Sequence, residues 1–261
     1  MKNYYHFIAL QVLLLVFTSP MVGQNSEGQQ VDYNALSVSF LERLKENKDT
    51  EDIQELLSNV TLGQLETALD TNTKKLAFWV NIYNAFILEI LKEQPELYND
   101  RGTFFKKEQI SIAGATVSFA KIEHGIIRKS QWTYGLGRVR KWFPDAFERK
   151  LRVNERDYRI HFALNCGAKD CPPVAIYSWE HLDEQFEKAT EQYLRRTTTY
   201  NKEKNEVAVT ALFNWFKGDF GGKSGVKNIL RKKGLIPKTK DILISYKNYD
   251  WNLELDNFTS L

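Results

Sequence analysis

Residues 75–92 read KLAFWVNIYNAFILEILK, and this stretch decides the fold. Apolar side chains occur on almost every side of a helix drawn through it, which is typical of a helix buried on most faces. Pro95 follows closely and predicts where that helix ends. Its polar exceptions are Asn81 and Asn84, one turn apart on the same side. The sequence therefore predicts a central helix enclosed by the chain, with two amides inside it.

The two amides have two interpretations. A buried amide must find hydrogen-bond partners, because burial without one costs roughly 1–3 kcal/mol. In the structural interpretation, Asn81 and Asn84 bind the backbone of a neighbouring loop. In the functional one, they line a polar cavity and orient a catalytic or ligand group.

The segments around this helix predict an α+β fold. Residues 109–119 (QISIAGATVSF) alternate around Ala113-Gly114 and predict a hairpin, and residues 158–165 alternate in the manner of a strand. Residues 181–196 carry apolar side chains at helical spacing. We expect a helix-rich N-terminal half, with a buried central helix packed on short, mainly antiparallel strands, in a single globular domain over residues 33–258.

The N-terminal residues have the order of a signal peptide. Lys2 precedes the apolar run FIALQVLLLVF at residues 7–17, and small, helix-breaking residues follow as far as Gly23. We predict a signal peptide over residues 1–23, a disordered mature terminus over residues 24–32, and export to the periplasm or the medium. The apolar run is shorter than the roughly 20 residues of a membrane span, so no stable membrane anchor is expected after cleavage.

Composition narrows the class of partner. The chain has 36 Lys and Arg against 33 Asp and Glu, and no aromatic-interleaved basic stripe accompanies the basic clusters at Lys106-Lys107 and at residues 231–233. We therefore expect no nucleic-acid partner. Six Trp suit a well-filled core or a ligand cleft, and the expected partner is a small molecule or a peptide of unknown identity.

Residues 161–173, HFALNCGAKDCPP, are the most chemically loaded segment. Cys166 and Cys171 could form a disulfide in an oxidising compartment, or remain as buried, unreactive thiols. Alternatively, one thiol is a nucleophile activated by His161 or His124 and oriented by a buried amide. A zinc site of these thiols and imidazoles is a further alternative, although the H-x4-C-x4-C spacing is not a standard zinc pattern. No cofactor and no metal are expected. The candidate catalytic residues are Cys166, Cys171, His161, His124, Asn81 and Asn84.

Five sequence blocks together resemble a known family. In chain order they are residues 78–85 (FWVNIYNA), 101–105 (RGTFF), 122–128 (IEHGIIR), 160–173 and 249–251 (YDW). Over roughly residues 35–255 the chain resembles the family called domain of unknown function 547. The resemblance implies no activity and assigns no catalytic role. Some multidomain relatives join this domain to glutaredoxin-like modules, which by association points toward thiol or peptide chemistry.

Two hypotheses of function follow from the sequence. In the first, the protein is a thiol-dependent hydrolase or transferase that uses Cys and His with the buried Asn residues. In the second, it is a non-catalytic binding or structural module with a Cys166–Cys171 disulfide.

Overall fold

The computed structural model describes residues 31–261, and helix α4, Asn72–Glu93, runs through its core. Thr71 caps this helix, its hydroxyl accepting a hydrogen bond from the Lys74 N–H at 3.2 Å. Every residue from position 75 to position 88 is buried. The predicted helix and its burial on most faces are therefore confirmed.

The remaining elements are short. The other α-helices are α1 Tyr33–Lys45, α2 Glu51–Asn59, α3 Leu62–Ala68, α5 Arg101–Lys106, α6 Ala146–Leu151, α7 Leu182–Thr197, α8 Leu212–Trp215 and α9 Gly222–Lys232. The strands are β1 Ile110–Ile112, β2 Ala115–Val117, β3 Thr199–Asn201, β4 Glu206–Val209 and β5 Leu243–Tyr246. Two 3-10 helices, Pro95–Asp100 and Tyr158–Phe162, and a π-helix, Lys121–Ile127, complete the described chain. The α+β fold is confirmed.

Helix α4 packs chiefly on other helices rather than on strands. Helix α1 lies along one side of it, where Phe40 and Phe86 meet edge to face with 5.1 Å between ring centroids. The π-helix lies along another side. Apolar side chains of the β1–β2 hairpin join the same core.

The predicted hairpin over residues 109–119 is confirmed. Strands β1 and β2 pair antiparallel, with Ile110 opposite Val117. Ala113 and Gly114 have φ angles of 52° and 70°, as a two-residue turn with a left-handed backbone requires. The Ala113 N–H donates to the Leu57 carbonyl at 2.9 Å, which ties the turn to the end of α2.

A second sheet forms the C-terminal side of the fold. Strand β4 pairs antiparallel with β3 and parallel with β5, and α8 and α9 lie on the connection between β4 and β5. A parallel pair needs such a crossover, because its strands cannot be joined by a tight turn. Phe162 and Phe213 belong to the apolar cluster beneath this sheet.

The predicted strand at residues 158–165 is wrong. Tyr158–Phe162 is a 3-10 helix, and the Asp157 carboxylate accepts the Arg159 N–H at its start. Ile160 packs into the core around α4, whereas Phe162 packs into the cluster beneath the second sheet. The alternating apolar residues of this segment thus pack into two different cores, whereas in a strand they would share one face of a sheet.

The predicted signal peptide at residues 1–23 lies outside the described residues, as does most of the terminus expected to be disordered. Asp32 is described, and its carboxylate accepts the Asn34 and Ala35 N–H groups at the start of α1. Asp32–Leu261 forms one compact unit. Within residues 31–261, no helix combines the length and the apolar character needed to cross a membrane.

Candidate functional site

A cavity of about 240 Å³ lies beside residues 161–173, which form one of its walls. Four of the candidate catalytic residues line it: His124, His161, Cys166 and Cys171. The rest of the lining is largely aromatic: Tyr83, Phe105, Trp215, Phe216, Tyr249 and Trp251. The structure thus brings both imidazoles and both sulfurs to one apolar cavity, whereas the two buried amides are not part of its lining.

His161 is bound to a carboxylate that the sequence analysis did not single out. Its Nε2 lies 2.8 Å from Asp219 Oδ2, and the two side chains are 2% and 5% exposed. The imidazole also stacks on Phe216, with 3.9 Å between ring centroids. These two contacts fix the plane and the orientation of the ring.

Asp219 is held as a carboxylate by its neighbours. Arg128 Nε donates to Oδ2 at 2.7 Å, and an Arg156 nitrogen donates to Oδ1 at 2.9 Å. Burial alone would raise the pKa of Asp219, but the hydrogen bond from His161 and the positive charge of Arg128 lower it to about 2. Asp219 is therefore ionised and accepts the proton-bearing side of the His161 ring.

The partners of His161 set its role. Because Asp219 accepts from Nε2, the neutral ring carries its proton there and has its lone pair on Nδ1. Burial lowers the pKa of His161 below its ordinary value, although the bond to Asp219 opposes this. The hydrogen bonds of the described residues leave Nδ1 without a partner. His161 is thus a neutral base at neutral pH.

The second imidazole has the opposite role. An Arg128 nitrogen lies 2.7 Å from His124 Nδ1, and since a guanidinium can only donate, Nδ1 is the acceptor. The proton of the neutral ring is therefore on Nε2. Burial lowers the pKa of His124, with Glu123 acting against it. Among the described residues, the Nε2–H of neutral His124 is thus a free donor and Nδ1 of His161 a free acceptor, and both residues line the same cavity.

The π-helix Lys121–Ile127 places Glu123 and His124 at the cavity. π-helical turns are rare and often occur at functional sites, where they change the direction of a side chain. Gly125 fits this turn because a Cβ there would lie 2.6 Å from the Glu148 Oε1 atom. Glu123 Oε1 is buried and has no hydrogen-bond partner within the described chain.

Cys166 and Cys171 form a disulfide, as one of the alternatives expected. The Tyr249 hydroxyl donates to Cys171 Sγ at 3.2 Å, which fixes the disulfide against the aromatic wall. In this state neither sulfur is a thiolate, so neither can act as a nucleophile. As for the zinc alternative, the described residues contain no group of three or more His, Cys, Asp or Glu side chains placed to hold a metal.

The geometry of the two buried amides matches their structural interpretation. Asn81 donates to the Tyr177 carbonyl at 2.8 Å and accepts the Tyr177 N–H at 3.0 Å. Asn84 donates to the Ala163 carbonyl at 2.9 Å and accepts the Asn165 N–H at 2.8 Å. Each amide pairs with backbone on both of its polar atoms, and Asn84 binds the wall segment at Ala163 and Asn165 without lining the cavity.

Sequence reasoning missed three functional groups at this site: Asp219, Arg128 and the Glu123 carboxylate. Arg128 lies four residues after His124, a spacing that brings side chains together on most helices, and this signal was present in the block IEHGIIR. Asp219 lies in a glycine-rich turn, 58 residues from His161, and no local pattern connects the two.

Comparison with known proteins gives one match. Residues 67–194 match the family described as "Protein of unknown function, DUF547". No curated protein and no solved structure matches the chain. The matched segment contains the whole of α4, the whole π-helix and the cavity wall, while Asp219 and Tyr249 lie beyond it. The resemblance found in the sequence is confirmed over residues 67–194, which match the DUF547 family of proteins of unknown function.

Proposed function

We propose that the protein is an enzyme that hydrolyses or transfers an acyl group of a small ligand, with His161 as its general base. One observation carries the proposal: two buried, neutral imidazoles with opposite hydrogen-bonding roles open on the same apolar cavity. Both rings are neutral and carry their proton on Nε2, but within the described chain His161 has a free acceptor at Nδ1 and His124 a free donor at Nε2, so one can take a proton while the other donates a hydrogen bond.

The reaction follows from the ring nitrogen that each imidazole leaves free. His161 Nδ1 takes a proton from a water molecule as the water oxygen bonds to the carbonyl carbon of the ligand. The His124 Nε2–H group donates to the oxygen on which negative charge develops. The bond to the leaving group then breaks, and the His161 imidazolium returns its proton to that group. Asp219 is a positioning residue, since it holds the His161 ring and stabilises the imidazolium.

The cavity also indicates the class of ligand. Its aromatic lining suits an apolar or aromatic group. The unpartnered Glu123 Oε1 would be satisfied by an N–H group of the ligand, which relieves the cost of a buried, unpaired acceptor. A small amide or a short peptide with an apolar side chain meets both requirements.

A thiol-dependent reaction is a second candidate, favoured by the presence of both sulfurs in the lining of the same cavity. A dithiol reductant would first cleave the disulfide and become oxidised itself. Cys166, which is more exposed than Cys171, would then lose its thiol proton to His161 and attack the carbonyl carbon. The leaving group would depart with that proton, and water would hydrolyse the resulting thioester to restore the thiol. If the predicted signal peptide exports the protein, the first candidate is favoured over the thiol-dependent one. An oxidising compartment keeps the disulfide formed, and the first candidate needs no free thiol.

The test is hydrolysis of a panel of small chromogenic esters and anilides with apolar acyl groups. We expect turnover by the wild-type protein, loss of at least about a hundredfold in His161→Gln, and no change in His181→Gln, an exposed histidine before α7. Activity that appears only after addition of a dithiol, and is lost in Cys166→Ser, would select the thiol-dependent reaction. Ligand binding without turnover in either redox state would instead favour the non-catalytic binding module.

A further inference from the structure

Residues 130–143 form a loop that exposes an unusual number of apolar side chains, and we call it the aromatic loop. Nine large apolar side chains are exposed on the described chain, and six of them lie in this loop. They are Trp132, Tyr134, Leu136, Val139, Trp142 and Phe143. Trp142 and Phe143 are 85% and 92% exposed. A contiguous exposed apolar patch marks a surface that binds a partner.

The aromatic loop is also strongly basic. Arg138, Arg140 and Lys141 lie within it, and the sequence contains no Asp or Glu between Glu123 and Asp145. Lys141 is paired with Glu148, whereas Arg138 and Arg140 form no ion pair with any described residue. Lys106 adds a further positive charge, since its Nζ lies 3.3 Å from the Tyr134 hydroxyl.

Backbone hydrogen bonds hold the loop in a defined shape. The Trp132 N–H donates to the Val139 carbonyl and the Lys141 N–H to the Ser130 carbonyl, each at 2.8 Å. The Gly218 N–H donates to the Leu136 carbonyl at 2.7 Å, which ties the tip of the loop to the turn that contains Asp219. The aromatic side chains are therefore presented outward by a fixed backbone.

We propose that the aromatic loop docks the protein on the surface of an anionic phospholipid bilayer. Trp and Tyr rings favour the depth of the lipid headgroups, where an apolar ring and a polar edge are both accommodated. Arginine side chains beside them are attracted to the negative surface of such a bilayer. A second copy of this chain is a poor occupant, because it would bring an equally basic loop against the first.

The test is flotation of the protein with phosphatidylcholine vesicles that do or do not contain about a third phosphatidylglycerol. The chain from Gln24 is used, because it contains the whole compact unit Asp32–Leu261 and lacks the apolar run at residues 7–17, which would itself bind lipid. We expect binding to the anionic vesicles alone, a blue shift of tryptophan emission, and release at high salt.

Two loop variants and two matched controls make the outcome specific to the loop. Arg138→Gln with Arg140→Gln is expected to weaken partition about thirtyfold, from about 1 kcal/mol for each charge. Trp142→Ser with Phe143→Ser should weaken it by on the order of tenfold or more and abolish most of the blue shift. Lys202→Gln with Lys204→Gln, and Leu243→Ser, change exposed residues elsewhere and should bind like the wild type. If the protein does not bind anionic vesicles, the proposal is overturned, and an acidic protein is left as the partner of the loop. Undiminished binding by both loop variants also overturns it.

Discussion

Asp219 Oδ2 accepts a hydrogen bond from His161 Nε2 at 2.8 Å and another from Arg128 Nε at 2.7 Å. This one oxygen therefore connects three parts of the fold. Asp219 itself lies in the glycine-rich turn before α9, His161 lies in the cavity wall, and Arg128 directly follows the π-helix. Arg128 also binds His124, so a single carboxylate indirectly orients both imidazoles of the cavity.

Replacement of Asp219 by Asn should damage both activity and stability. An amide at this position can turn its NH2 group toward His161 Nε2, which would move the imidazole proton to Nδ1 and remove the base. We expect a loss in kcat on the order of a hundredfold or more, tested with the same chromogenic esters. The exposed Asp241→Asn variant is the control, and unchanged kcat in Asp219→Asn would contradict the assigned role.

The same variant should unfold more easily, because Arg128 loses the negative charge that compensates it in the interior. Breaking a buried pair from one side costs roughly 3–5 kcal/mol. In a domain of this size that corresponds to a fall in Tm of about 10 °C, measured by calorimetry. If the Tm of Asp219→Asn falls by only a degree or two, the Arg128 guanidinium is solvated by water in place of the lost carboxylate.

The stability of the protein should decrease in acid. The pKa of Asp219 falls from 3.8 to about 2 on folding, so its contribution is complete above its unfolded pKa and is lost as the pH falls through the folded one. That shift corresponds to about 2 kcal/mol. His124 and His161 also have lowered pKa values, so their contributions are complete above about pH 6.5 and decline below it. Urea midpoints at pH 7, 5 and 3 should fall in that order, and Asp219→Asn should lose much of the step at the acid end.

The central helix and the hairpin could be predicted from sequence because both have a local cause. Apolar residues on all sides of 75–92 can only be satisfied by burial, and Ala113-Gly114 favours a tight turn whatever surrounds it. The 3-10 helix at Tyr158–Phe162 could not, because its apolar residues divide between two cores that exist only after folding.

Removal of the disulfide should destabilise the protein modestly. Cys166 and Cys171 are five residues apart, and closing so short a loop restricts the unfolded chain by about 2 kcal/mol. We expect the Cys166→Ser, Cys171→Ser variant to lose about that much unfolding free energy in urea titrations. If water is the nucleophile, this variant keeps most of its turnover, whereas its complete inactivation would favour the thiol reaction.

Asn84→Leu should be more harmful than the loss of the disulfide. It leaves the Ala163 carbonyl and the Asn165 N–H buried without partners, and each such group costs about 1–3 kcal/mol. We expect a loss of roughly 2–6 kcal/mol in urea titrations, with the exposed Asn99→Leu as the matched control. Wild-type stability of Asn84→Leu would mean that the wall segment takes other partners.

Only some of the residues at the site could be predicted from sequence, because only some of them are recognisable by their own chemistry. His124, His161 and both cysteines were identified by their chemistry, and folding brought them to one cavity. Asp219 carries no sequence signal of its own, because its importance comes from burial among cations distant in the chain. The roles of the imidazoles depend on which nitrogen each partner occupies, and that is a property of three-dimensional geometry alone.

The amides of α4 also affect how the chain can fold as it is synthesised. Asn84 takes its partners 79 and 81 residues later in the chain, and Asn81 binds the backbone 96 residues later. A nascent chain that has emerged only as far as the hairpin contains the whole apolar helix but none of those backbone partners. The domain therefore cannot be assembled progressively from its N-terminus, and any factor that protects the emerging chain must shield α4 until the segment near Tyr177 has been made.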